Sequence, residues 1–238
     1  MKKAEIVENK EDYKDLYAGQ RCFILGNGPS LNNTDLSYLA DEYTFGCNKI
    51  SMLYKQREWN PSFYVMVSSD IWRHDWLLAT NINVEMGIPC FLNERNRLIN
   101  TTTENFYKEI DDLRHVYLIN AEGGRKGYPY KDNQWSNDPM KKATKYGTIL
   151  MTCIQLAVYM GFKEIYLLGC DLGFSGPNCN FDPNYNPGQF DPNGDVHSYE
   201  AHVLSKRMTE AQGVNIYNAT VGGSLEVYKR KNYQELFI

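Results

Sequence analysis

The chain has 238 residues, a net charge of −4, 42% hydrophobic and 23% charged residues. This is the balance of one globular domain with a full core, read here as a single domain over residues 1–238. No basic face stands out and no apolar run approaches about 18 residues, which argues against a nucleic-acid polymer as partner and against a transmembrane segment.

The first residues, Met1-Lys-Lys-Ala-Glu-Ile, lack the apolar stretch of a secretory signal. The expected location is cytoplasmic, at most peripheral at the inner membrane. Residues 5–18 are charged with apolar positions at Ile6, Tyr13, Leu16 and Tyr17, and predict a short surface helix. Residues 21–26 predict the first strand. It breaks into Gly26-Asn27-Gly28-Pro29-Ser30, a glycine turn before a helical pattern. Glycines there would accept positive φ and let a ligand approach the backbone. Pro29 suits a first helical position, and the free N–H groups of such a turn favour an anion. The elbow therefore predicts a phosphate site, followed by a helix capped by Asn33 or Thr34 with Leu36, Tyr38 and Leu39 on its apolar face.

Strands are expected at 43–47, ending at Asn48, and at 62–68, ending at Ser69 and Asp70. A helix carrying Trp72, Trp76, Leu77 and Leu78 follows. Two short strands are predicted at 89–92 and 115–119, and a polar loop or insertion at 120–145. The clearest helix spans 148–160 and is closed by Gly161. Residues 164–168 predict a central strand running into Gly169-Cys170-Asp171. Residues 172–196 are dense in Pro, Gly, Asn and Asp and read as a lid loop. A helix at 199–212, a strand at 214–217, an apolar segment at 225–228 and a turn at 233–237 complete the chain.

Strands alternating with helices predict an α/β, Rossmann-like fold with a mostly parallel sheet flanked by helices. Ligands in such sheets bind beyond the carboxyl ends of the strands. The elbow, Asn48, Ser69, Asp70 and Asp171 all fall at such ends. Position 31 is Leu, so the dinucleotide fingerprint is incomplete, and no Gly-Lys-Ser/Thr follows. Hydride transfer is disfavoured. An amide at Asn27 or Asn48 can bond ribose, base or phosphate, although asparagines also simply cap turns. Asp70 and Asp171 are turn acceptors, sugar contacts or magnesium ligands on a diphosphate. Asp191-Pro-Asn-Gly-Asp195 has part of a calcium loop but no closing Glu. His197 and His202 flank the start of the helix after the loop, where an imidazole can take a proton from a hydroxyl. The six cysteines form no C-x-x-C pair, so neither zinc nor a disulfide framework is expected.

Three segments carry a resemblance: Gly26-Asn-Gly-Pro-Ser-Leu31, Cys47-Asn48, and Met160-Gly-Phe-Lys-Glu-Ile-Tyr-Leu-Leu-Gly-Cys-Asp171. With Val196-His-Ser-Tyr-Glu-Ala-His202 they resemble bacterial sialyltransferases that use CMP-activated sialic acid. The segment Ile216–Val227 is more similar to a related group that includes the archaeal hydroxymethylpterin pyrophosphokinase, often linked to surface-polysaccharide synthesis. The first resemblance implies a nucleotide-sugar donor and a glycan or lipid-linked acceptor. Gly26, Asn27, Gly28, Pro29 and Ser30 would hold phosphate and ribose, Asn48 the nucleoside, and Gly147-Thr148 the donor. His202, or else His197, would be the general base of one inverting step without an obligatory metal. The second resemblance implies ATP- and magnesium-dependent diphosphate transfer. A non-catalytic nucleotide-binding protein is a third reading, and homo-oligomerisation is left open. The sequence departs from the sialyltransferases at Leu172-Gly173-Phe174, where they carry a tyrosine that Tyr185 or Tyr199 would have to replace. They also have an arginine before the glycine-opened helix, where Lys142 or Lys145 is nearest.

Overall fold

The computed structural model describes residues 1–124, 129–173, 179–186 and 193–238. Phe174, the start of the calcium-like segment at Asp191, and much of the 172–196 lid lie outside the described residues.

Eight parallel strands form the main sheet. They are β1 (Arg21–Leu25), β2 (Tyr43–Cys47), β3 (Phe63–Met66), β4 (Cys90–Asn93), β5 (Val116–Ile119), β8 (Glu164–Leu168), β9 (Asn215–Asn218) and β10 (Lys229–Arg230). The short β6 (Ala121–Glu122) and β7 (Ala143–Thr144) pair beside them, inside the stretch expected to be loop. Five α-helices are described: α1 (Tyr54–Arg57), α2 (His74–Glu85), α3 (Thr101–Ile110), α4 (Ile149–Tyr159) and α5 (Gly194–Glu210).

The central strands are apolar on both faces because both faces are covered. Side chains alternate with the pleat. Cys22, Ile24, Phe45 and Val65 face one layer, into which α4 sends Cys153, Ile154 and Leu156 and α5 sends Ala201 and Leu204. Phe23, Leu25, Tyr64 and Met66 face the other, which α2 and α3 close with Trp76, Val84, Phe106 and Ile110.

The strand order is β10-β9-β8-β1-β2-β3-β4-β5. The chain builds outward from β1 in one direction, then returns to lay β8 along the opposite side of β1. The order therefore reverses at β1 and β8, which opens a crevice above their carboxyl ends.

Local structure departs from the sequence reading in several places. Lys10–Tyr13, Pro29–Asn33 and Leu36–Leu39 are single 3₁₀ turns, not helices. Between them, Thr34 Oγ1 donates to the Ser30 carbonyl and the Asp35 side chain accepts from the Ser37 amide. Such local bonds compete with a helix ladder. Neither Gly26 nor Gly28 has positive φ. Helix α3 is unforeseen, since its opening Thr101-Thr102-Thr103 is weak helix sequence held by the Asn100–Thr103 capping box. Helix α5 starts five residues before the expected Tyr199.

Candidate functional site

The crevice contains a cavity of about 830 Å³. Gly26, Asn27 and Gly28 line it from the end of β1, Asn48 from the end of β2, and Ser69 and Asp70 from the end of β3. Asp171 enters from the end of β8, and Gly147 and Thr148 from the start of α4. Tyr185 and His202 complete the wall. The structure thus brings eleven of the fourteen sequence-nominated residues to one cavity; Pro29, Ser30 and His197 are not on its lining.

The elbow is glycine for reasons of space. A Cβ on Gly26 would lie 2.3 Å from the Gly169 carbonyl oxygen, and one on Gly28 would lie 1.9 Å from Asp171 Oδ2. Gly169, with φ +64°, turns the end of β8 against the elbow, and the Gly28 amide donates to its carbonyl at 2.9 Å. Asp171 then takes Ser30. Its Oδ1 accepts from the Ser30 amide at 3.1 Å and its Oδ2 from the Ser30 hydroxyl at 2.7 Å. The anion expected on the amides after the elbow is therefore a carboxylate of the chain itself. Burial, partly countered by these bonds, raises the Asp171 pKa.

The helix that faces the cavity with its N-terminus is α4, capped by Thr148 Oγ1 on the Leu150 amide at 3.3 Å. Gly147 has φ +71° and passes close to α5; its Cβ would lie 2.2 Å from the His197 carbonyl oxygen. Lys145 lies on the lining just before this turn, with its Nζ on the Val67 carbonyl. Burial lowers its pKa, against the attraction of Asp70. Lys142, by contrast, pairs with Glu122 at 2.7 Å. Of the two lysines nominated to replace an arginine, Lys145 is the one at the cavity.

The stretch 179–186 is a strap docked over the elbow. The Phe181 amide donates to the Asn27 carbonyl at 2.9 Å, and Asn32 Nδ2 donates to the Phe181 carbonyl at 2.8 Å. Phe181 and Tyr185 are buried in the core layer. Lys49 pins the far end. Its Nζ contacts the Tyr185 carbonyl and Asp75 Oδ2, while its amide donates to the Tyr185 hydroxyl at 3.2 Å. Tyr199, the other tyrosine nominated to replace the missing one, is 42% exposed and off the lining.

His202 is buried on α5. Its Nδ1 lies 3.0 Å from the Tyr228 hydroxyl, which donates its own hydrogen to the His202 carbonyl at 3.1 Å. The hydroxyl can then only accept from the ring, so Nδ1 carries the proton and Nε2 the lone pair. Burial pushes the His202 pKa down to about 4. The ring is neutral near pH 7 and able to take a proton. His197 is held elsewhere, its Nδ1 3.4 Å from the Tyr130 hydroxyl. Tyr228, Gly169 and Lys49 escaped the sequence reading as site residues; for Tyr228 the signal is the buried Leu225–Tyr228 segment itself.

Among the described residues no three His, Cys, Asp or Glu side chains gather as a metal site, and no helix is long and apolar enough to cross a membrane.

A family model described as 6-hydroxymethylpterin diphosphokinase MptE-like matches residues 1–177. The chain belongs to this MptE-like family. No curated protein sequence matches it. The MptE-like chain shares its fold with monofunctional alpha-2,3-sialyltransferase Cst-I of Campylobacter jejuni, at TM-score 0.50 and 20% identity, over 92% of this chain and 79% of that one. The sialyltransferase CST-II, in a complex with CMP, aligns at TM-score 0.49 and 19% identity, over 88% of this chain and 85% of that one. At these identities the likeness is one of fold alone.

Proposed function

We propose that this MptE-like chain is a glycosyltransferase that uses a nucleotide-activated sugar of the CMP type, for synthesis of a cell-surface glycan. The observation that carries the reading is His202, a neutral imidazole on the same cavity as the glycine elbow, with Tyr228 fixing its tautomer. Its Nε2 takes the proton of an acceptor hydroxyl. That oxygen attacks the anomeric carbon, the bond to the donor phosphate breaks, and the configuration inverts. Lys145 and the N-terminus of α4 supply positive potential for the departing phosphate. The chemistry asks for no metal.

His202→Gln tests this. Sugar transfer should fall at least about 100-fold while CMP still raises the melting temperature. Transfer at the wild-type rate, or no response to any nucleotide, overturns the reading.

The family's description favours a second reading, diphosphate transfer from ATP. Magnesium commonly binds through one or two carboxylates and the substrate's phosphates. Asp70 is the cleft carboxylate that would serve, since Asp171 is held by Ser30. Stabilisation by ATP only with magnesium, lost in Asp70→Asn, would select this reading over the first.

A further inference from the structure

Four buried polar atoms of cavity residues have no hydrogen-bond partner among the described residues: Oδ1 of Asn27, Asn48 and Asn186, and Nε1 of Trp76. Buried polar atoms without partners are rare and costly. The fifth such atom, Trp59 Nε1, belongs to a residue off the cavity. The deficit is thus concentrated where a ligand would sit.

The four residues share one wall. The Trp76 and Tyr185 rings lie 6.3 Å apart, and Asn186 follows Tyr185 directly. Asn48 precedes Lys49, whose backbone amide donates to the Tyr185 hydroxyl at 3.2 Å. Asn27 Nδ2 donates to the Cys47 carbonyl at 3.3 Å. That nitrogen is in use, so Oδ1 is the atom of Asn27 left over. Trp76 is only 5% exposed, and its N–H is the one donor among the four. The neighbouring cation, Lys49, is committed to Asp75 and the Tyr185 carbonyl. Three buried acceptors and one donor, with Lys49 occupied and Lys145 turned to the Val67 carbonyl, suit a neutral group that brings more donors than acceptors.

We propose that Asn27, Asn48, Trp76 and Asn186 form a recognition pocket for an uncharged head group rich in O–H or N–H donors, with one acceptor for the indole, and that this pocket turns away a carboxylate. The inference rests on the donor site proposed above; a sugar held at this wall is a neutral one, distinct from carboxylated sugars such as sialic acid. The same chemistry is offered by the hydroxyls of a neutral sugar and by the amine edge of a nucleobase.

Nitrogen-15 labelling of the tryptophans of the full chain tests it. Trp76→Phe assigns the Trp76 indole signal. Cytidine, N-acetylglucosamine and N-acetylneuraminic acid are then added separately at millimolar concentration. The signal is expected to move with cytidine or with N-acetylglucosamine, which tells base from sugar, and to stay fixed with N-acetylneuraminic acid. Asn186→Leu should weaken the active probe about tenfold. Silence with both neutral probes, or an equal response to the carboxylated one, overturns the pocket. Silence of the signal while CMP still raises the melting temperature removes the pocket and spares the donor reading. A moving signal without any nucleotide stabilisation does the reverse.

Discussion

His202 ties the proposed chemistry to stability through one burial. Its pKa is about 4 in the folded chain, against an ordinary histidine value near 6.5. Between those values the unfolded chain binds a proton that the folded chain refuses. Stability from this source is complete above about pH 6.5 and falls as the pH drops towards 4. At pH 5 the loss relative to pH 7 is roughly 2 kcal/mol. Urea titrations at both pH values should show this difference in the wild-type chain and lose it in His202→Gln; equal slopes in the two chains would refute the assignment. At the elbow the decisive quantity is distance. Gly28→Ala drives a Cβ to 1.9 Å from Asp171 Oδ2 and 2.7 Å from the Gly169 carbonyl oxygen. The variant is expected to lose about 1–3 kcal/mol by urea titration. An unchanged midpoint would mean that the β1 and β8 ends are not locked together as described.

The elements show what could be read in advance and what could not. The strands from β1 to β5, β8, β9 and helix α4 were legible because apolar runs and periodicities match fully covered faces. The convergence of Asn48, Asp70 and Asp171 was legible for the same reason, since each follows a strand of one parallel sheet. The elbow lines the cavity, while its Ser30 amide is taken by Asp171. A phosphate-binding helix start and the observed 3₁₀ turn look alike in Gly-Asn-Gly-Pro-Ser, and only the long-range bond from Asp171 tells them apart. The strap was hidden too, because polar composition gave no sign that Phe181 and Tyr185 dock into the core. Its anchorage is measurable. Lys49→Met removes the cation under Tyr185, and the Phe181 amide, bonded to the Asn27 carbonyl, should exchange at least about tenfold faster while β1 amides do not change. Uniform acceleration would mean that the strap is no separate unit.

At the scale of the molecule, the chain shares its fold with Cst-I, and a fold does not fix a function. Within this chain the strand order reverses at β1 and β8. The reversal also has a kinetic side. Strand β1 aligns Leu25 with Leu168, and His202 and Tyr228 follow later still. A ribosome releasing this polypeptide must therefore deliver residues 1–169, more than two thirds of it, before Gly26 meets Gly169. Until then the early strands lack one neighbour and the pocket lacks a wall. The cavity therefore stays open on one side through most of synthesis and is walled only when the last third of the chain has arrived.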